Sequence, residues 1–437
     1  MRLEKWFITT LDESQKKVIA QNIDQRLIVQ GVAGSGKTNL AIHRALQAKA
    51  RGTYAIVIFS VALKRMVAYG MHAMGLDRER IAYEWAWLNR GFDMVGDLFM
   101  EKDNNKLLFL VNDRHVRKFV RTEKAANSYG IDFETWVPDR FYRAFGRRVS
   151  WFSEVPYDGG LNIADEKFEM VVGGIMYRQS ENLIDYLIVD EGQDFSLDAY
   201  KVNLCPRSQK SLTVFGDSAQ QMLRKSLTPG CRYKEGCSMS DIAKVLGPSY
   251  QCMTLECNYR VPLTIARFAQ GIMGGMVDLV TNNMKGDNGP LPVVVHCQTQ
   301  ESELDAIISR INAEDLDDVA ILVESNAKAI IVNKYLNEKG IKTQTYYRTR
   351  NEVPYDTINT LDFSNGDLPC VLTYYSAKGS EFDNIFIPFA NSENRCGRND
   401  FYVACTRSSR DLTILYSGAP IQHLKGVDPR LYESYQI

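Results

Sequence analysis

Short apolar runs that stop abruptly at small or polar residues recur along the chain, and most lead into segments whose apolar positions return at helical spacing. Residues 26–50, RLIVQGVAGSGKTNLAIHRALQAKA, read as a strand, a glycine-rich turn and an amphipathic helix. YAIVIFSVALKRMV (54–67) is a second strand running into a helix, and LIDYLIVDE (183–191) and SLTVFGD (211–217) are further short strands. Continuous apolar strands of this kind suit a parallel sheet covered on both faces, with functional groups at the strand carboxyl ends. They predict one α/β lobe made of residues 1–77 and 181–257.

Residues 78–180 interrupt that alternation. YEWAWLNRGF, RHVRKFVRTEK and DRFYRAFGRRVSWF mix aromatic and basic residues, and the segment reads as a mostly helical insertion. Cations interleaved with flat rings suit a groove for single-stranded nucleic acid. They suit equally a solvated helix face over an aromatic core. After residue 258 the strand–helix alternation resumes with LPVVVHC, VAILVES, IKTQTYY, CVLTYYS, NIFIPFA and LTILYSG, which predicts a second α/β lobe over 258–437.

Composition narrows the picture only a little. Lysine plus arginine number 52 and aspartate plus glutamate 53, so a polyanion would have to be held by locally clustered charge. The nine cysteines include no C-x-x-C pair, which fits reduced thiols. Cys231, Cys237, Cys252 and Cys257 are spaced wrongly for zinc, and none is predicted. With no signal-peptide pattern and no membrane-length apolar run, a soluble, cytoplasmic chain is expected.

GVAGSGKT, Gly31 to Thr38, has the spacing of a phosphate-binding loop between a strand and a helix. Its backbone N–H groups would curl around phosphates at the helix N-terminus, Lys37 would reach the β and γ phosphates, and Thr38 would hold Mg2+. Gly31, Gly34, Ser35, Gly36, Lys37, Thr38 and Asn39 are therefore candidate contacts to ATP. In YLIVDEGQDFS, Asp190 at a strand end suits Mg2+, and Glu191 is placed to orient and deprotonate an attacking water. The bland alternative is that Asp190 caps a helix. Arg260 and Arg407 are candidates for stabilising transition-state charge, although a single arginine is more often a surface ion-pair residue.

Taken in order, the motifs resemble the UvrD/Rep-like helicases of superfamily 1 over nearly the whole length. LDESQKKVI resembles the Q-motif, implying that Gln15 reads adenine, and GVAGSGKT resembles motif I. VIFSVALKRM resembles motif Ia, implying nucleic-acid contacts at Phe59 and Ser60, and IVDEGQDFS resembles motif II. VFGDSAQQ resembles motif III, implying that Gln220 senses the γ-phosphate, and LECNYR, with Arg260, resembles motif IV. LTYYSAKGSEFDNIFIP is similar to motif V. There the resemblance implies nucleic-acid contacts at Thr373 and Tyr375, and nucleotide contacts near Gly379 and Glu381. FYVACTRSSRDL, with Arg407, resembles motif VI.

The resemblance implies two RecA-like lobes, ATP and Mg2+ as cofactors, and stepping or unwinding on single-stranded nucleic acid, most readily DNA with 3′ to 5′ polarity. The chain also departs from the family. Residues 348–371 leave room only for a short loop where larger relatives carry a 2B subdomain. The motif III segment continues as QQMLRKSLTPG without the usual aromatic residue, and Tyr375 and Ser380 stand where histidine and leucine are common. Trp85 and Trp87 lie near the place of motif Ib, where core packing is the simpler expectation. The departures keep open an alternative, a nucleic-acid-gated ATPase acting as a sensor or regulatory subunit of a repair or antiviral defence complex. No nuclease signature is visible, so any cleavage would come from a protein partner.

Overall fold

The computed structural model describes residues 10–83, 92–100, 107–111, 151–152, 170–172, 175–179, 183–195, 197–220, 236–255, 257–275, 288–348, 357–362 and 366–437. The first lobe opens with α1 (Glu13–Ala20), capped by Asp12. The Asp12 carboxylate accepts from the backbone N–H of Gln15 at 2.7 Å, while Gln15 Oε1 accepts from the Asp12 N–H at 3.2 Å. That reciprocal pair satisfies two otherwise orphaned helix donors and fixes where Gln15 sits. There follow β1 (Leu27–Gly31), α2 (Lys37–Lys49), β2 (Tyr54–Ile58), α3 (Val61–Ala73) and β3 (Ile81–Tyr83).

The described part of the insertion is made of strands, and the rest of it, where most of the basic and aromatic stretches fall, lies outside the described residues. Those strands are β4 (Phe92–Met100), β5 (Leu107–Val111), β6 (Trp151–Phe152), β7 (Met170–Val172) and β8 (Ile175–Gln179), paired antiparallel in the order β6-β5-β4-β8-β7. Strand-length runs such as LLFLV and IMYRQ are rich in residues that fit a pleated sheet. Trp85 and Trp87 lie outside the described residues.

The lobe resumes with β9 (Ile184–Val189), β10 (Ser208–Gly216), α4 (Met239–Leu246) and β11 (Gln251–Leu255). Its sheet has the order β11-β1-β10-β9-β2-β3 with all neighbours parallel, so β3 extends the sheet beyond residue 77. Alternation sorts the side chains: Leu27 and Val29 of β1 join the core under α2 and α3, whereas Ile28 joins the core under α4.

The second lobe contains α5 (Leu263–Ile272), β12 (Val293–Cys297), α6 (Gln300–Ala313), β13 (Val319–Val323), α7 (Asn326–Glu338), β14 (Gln344–Arg348), β15 (Thr357–Asn359), β16 (Cys370–Thr373), β17 (Phe382–Ile387), α8 (Arg398–Cys405), β18 (Ser408–Ser417) and β19 (Glu433–Gln436). The strand order is β15-β14-β16-β13-β17-β18-β12-β19. All pairs are parallel except β14 with β15, which folds back as an edge strand within the 348–371 interval. Two α/β lobes with parallel sheets are thus observed.

One apolar cluster crosses between the lobes, from Leu63 and Met66 of α3 to Tyr374, Ala377 and Tyr402. Arg65 adds a bond from Nη1 to the Leu361 carbonyl at 2.7 Å. Among the described residues no helix is long and apolar enough to cross a membrane.

Candidate nucleotide site

The loop from Gly31 to Gly36 joins the end of β1 to the first turn of α2. Gly34 and Gly36 have φ of +76° and +82°, a backbone region that favours glycine. A Cβ on Gly34 would run into Oδ1 of Asn258, so the glycine is needed for close approach as well as for the turn. Lys37 folds back over the loop, with Nζ donating to the carbonyls of Gly31 at 2.7 Å and Val32 at 3.0 Å. Burial lowers its proton affinity, and the nearby charges of Asp217, Glu191 and Asp190 act against that. From α1, Gln15 Nε2 donates to the Ser35 carbonyl at 3.2 Å. Thr38 and Asn39, in the first turn of α2, are buried.

Asp190 and Glu191 follow directly on β9, where the parallel sheet delivers its polar ends. Asp190 is fully buried, its Oδ1 accepting from the Glu191 N–H at 3.0 Å. Its Oδ2 has no hydrogen-bond partner among the described residues. Burial pushes the Asp190 carboxyl up and the Glu191 charge adds to this, while the Thr38 hydroxyl and Lys37 act in the other direction. A buried, unpartnered carboxylate oxygen beside a threonine hydroxyl is hard oxygen chemistry of the kind Mg2+ takes, so these residues fit that ion.

Glu191 stands at φ 54°, ψ 43°, left-handed backbone that costs a non-glycine residue on the order of 1–3 kcal/mol. Its Oε2 accepts from Gln193 Nε2 at 2.7 Å and lies 3.6 Å from Lys378 Nζ. Burial alone would raise its proton affinity, but Lys378, Lys37 and Arg407 outweigh burial and hold the carboxyl below its ordinary value. A buried carboxylate kept ionised is suited to accept a proton.

Gln193 Oε1 accepts from the Asp217 N–H at 3.0 Å, tying the segment after β9 to the end of β10. Gln220 donates from Nε2 to Asp217 at 2.7 Å and accepts at Oε1 from Arg407 Nη2 at 3.0 Å. Arg407 follows α8 in the second lobe and is 2 % exposed, with Nε donating to the Val403 carbonyl at 2.9 Å. Burial lowers its proton affinity, opposed by Glu191, Tyr402 and Asp217. Arg260 pairs with Glu381. Asn258 Oδ1 accepts from the Arg260 and Val261 N–H groups at 3.0 Å each, and the Tyr259 N–H donates to the Gly34 carbonyl at 3.1 Å.

Gln15, the phosphate loop, Asp190, Glu191, Gln220, Arg260, Glu381 and Arg407 are therefore gathered at the junction of the lobes. The residues expected to touch nucleic acid form a second group. Ser60 caps α3, accepting from the Leu63 N–H at 3.1 Å. Phe59 of the first lobe meets Tyr375 of the second edge-on, with ring centroids 5.3 Å apart. Thr373 donates from Oγ1 to Ser376 Oγ at 2.9 Å. Sequence reasoning assigned no role to Lys378, Asn258 or Asp217. The stretches SAKGSEF and LECNYR contain Lys378 and Asn258, but no spacing rule says that a lysine of the second lobe faces acids of the first.

Residues 329–416 match a protein-family profile described as the viral superfamily 1 RNA helicase core domain. That span includes Thr373, Tyr375, Lys378, Glu381 and Arg407. No curated protein matches the chain. Among solved structures, the C-terminal domain of a possible DNA helicase from Lactobacillus plantarum WCFS1 is 26% identical, with a TM-score of 0.31, covering 40% of this chain and 98% of that one. Dbp5 of S. cerevisiae bound to RNA and ADP BeF3 is 10% identical, with a TM-score of 0.45, covering 100% of this chain and 93% of that one.

Proposed function

We propose that the protein is an ATP-driven motor of the UvrD/Rep-like kind that steps along or unwinds single-stranded nucleic acid, most readily DNA in the 3′ to 5′ direction. The observation that carries the reading is the bond from Arg407 of the second lobe to Gln220 of the first, beside Glu191. Hydrolysis at such a junction is felt by both lobes. Gln15 and Glu381 would contact the adenosine part of ATP, and Lys37 and the loop amides the phosphates. Mg2+, held by Thr38 and Asp190, would neutralise phosphate charge. Glu191 takes the proton of the attacking water, and Arg260 and Arg407 offset the charge that gathers in the transition state. Phe59, Ser60, Thr373 and Tyr375 line the strand path, and alternating grip of the two lobes supplies direction.

The test is ATP hydrolysis titrated with oligo-dT and oligo-U, followed by strand displacement on a 3′-tailed duplex. Stimulation by both polymers would leave DNA unselected over RNA, and no stimulation by either would end the motor reading. A second reading, a gated ATPase within a repair or defence complex that includes a nuclease, is favoured by the short 348–371 interval occupied by the edge strand β15. It predicts strand-stimulated hydrolysis without displacement.

A further inference from the structure

Lys378 lies in the turn after β16, in the second lobe, yet every acceptor described for its ammonium belongs to the first. Nζ donates to Asp194 Oδ2 at 2.5 Å and to the Gln220 carbonyl, and it lies 3.6 Å from Glu191 Oε2. Two of the ammonium's donors are taken by hydrogen bonds, and Glu191 faces it as an ion pair. The side chain is 1 % exposed, and those of Asp194 and Glu191 are 1 % and 5 % exposed. A buried cation persists only with such partners, and the geometry of one is imposed on the others.

Glu191 Oε2 accepts from Gln193 Nε2 at 2.7 Å and lies 3.6 Å from the Lys378 ammonium. This oxygen thus receives a hydrogen bond from its own lobe and the charge of a buried cation from the second. The same turn carries Tyr375 against Phe59: the Lys378 N–H donates to the Tyr375 carbonyl at 3.3 Å, and the Ala377 N–H to the Thr373 carbonyl at 2.9 Å. One short turn therefore presents a ring to the expected strand path and a cation to the hydrolytic carboxylate.

We propose that Lys378 is a positioning residue for hydrolysis, orienting Glu191 from the second lobe through an ammonium that Asp194 and the Gln220 carbonyl hold in place. This rests on the proposed ATP-hydrolysing function. The partners of the Lys378 ammonium are all protein oxygens, so its effect on hydrolysis is exerted through Glu191.

The experiment compares wild type, Lys378→Met, Lys378→Arg, Asp194→Asn and the Lys378→Met/Asp194→Asn double variant by steady-state ATP hydrolysis with saturating oligo-dT, alongside thermal melting. Lys378→Met is expected to lower kcat about tenfold or more while KM for ATP stays within about threefold, because orientation of the base is lost and nucleotide contacts are not. Lys378→Arg is expected to recover most of kcat. Asp194→Asn is expected to reproduce the loss, with the double variant no worse than the poorer single, since both act through one ammonium. If Lys378→Met does not fold, Lys378→Arg and Asp194→Asn carry the test, and retention of wild-type kcat by Asp194→Asn overturns the proposal. An unchanged kcat in Lys378→Met, or losses that multiply in the double variant, overturns it while leaving the ATPase reading intact. A wild-type protein that turns over no ATP overturns both.

Discussion

Arg407 Nη2 donates to Gln220 Oε1 across 3.0 Å, and that bond joins the helix end of one lobe to the loop after a central strand of the other. Arg407 is also braced by the Val403 carbonyl at 2.9 Å, so its guanidinium is aimed by its own lobe before it meets the partner. Truncating it should remove charge stabilisation that matters only in the transition state. Arg407→Ala is expected to reduce kcat by about a thousandfold or more, with ATP affinity within a few-fold of wild type. Gln220→Ala, which removes the partner and leaves the cation, should cost less, about ten- to a hundredfold. Hydrolysis rates together with equilibrium binding of a fluorescent ATP analogue check both, and an unchanged Arg407→Ala rate would remove that residue from the site.

Glu191 and Lys37 separate turnover from binding. Glu191→Gln keeps the shape and the bond partners but cannot accept a proton, so nucleotide should bind while hydrolysis falls by about a hundredfold or more. Lys37→Ala removes the cation that folds over the phosphate loop and should abolish hydrolysis and weaken binding together. Chelation of Mg2+ should stop turnover in the wild type, as Thr38 and Asp190 then have no ion to hold. Single-turnover assays and filter binding distinguish the cases; normal turnover by Glu191→Gln would sink its assigned role.

The legibility of this chain was uneven, for physical reasons. The strand–turn–helix around Gly31–Thr38 and the place of Asp190–Glu191 at a strand end were legible because both are local in sequence. The two parallel sheets were legible because buried strands write continuous apolar runs. The insertion was less legible, because aromatic and basic content says what a surface could bind, not which backbone presents it. Lys378 was missed because its meaning depends on two segments about 150 to 190 residues away in sequence, Gln220 and Asp194, meeting it across the lobe junction. Asn258 was missed for a similar reason, since the space beside Gly34 that it fills exists only once β11 lies beside β1.

Glu303 on α6 is fully buried in the second lobe. Its carboxylate accepts from the Phe389 N–H at 2.6 Å and from Ser417 Oγ at 2.7 Å, and Phe389 itself stands at φ 58°. Glu303→Ala leaves both donors unsatisfied and should destabilise the fold by about 2–4 kcal/mol. Burial holds the Glu303 carboxyl above its ordinary value, with the Phe389 and Ser417 bonds acting against the rise. The folded state therefore binds this proton more tightly than the unfolded chain. The contribution is full below the unfolded carboxylate value of about 4.3 and declines as pH rises through the raised folded value. Urea unfolding of wild type and Glu303→Ala at pH about 5 and about 8 should show the larger difference at the lower pH. A difference that grows with pH would contradict the assignment.

Tyr375 joins the two proposed sites, since its turn also carries Lys378. Its ring is partly buried and packs edge-on against Phe59, which in turn lies edge-on to Phe195 at 5.8 Å, so the aromatic row begins inside the first lobe and ends at the junction. Stacking on a single aromatic ring is worth about 1–3 kcal/mol per base, which corresponds to about a five- to hundred-and-fiftyfold loss of affinity when it is removed. Tyr375→Ala is therefore expected to weaken oligo-dT binding within that range and to leave the slope of affinity against salt nearly unchanged, since no phosphate contact is lost. Tyr375→Phe should retain most of the affinity, because the ring rather than the hydroxyl does the stacking. Fluorescence anisotropy of labelled oligo-dT at several salt concentrations measures both quantities. Wild-type affinity in Tyr375→Ala would place the strand elsewhere, whereas a loss shared equally by Tyr375→Phe would assign the contact to the hydroxyl.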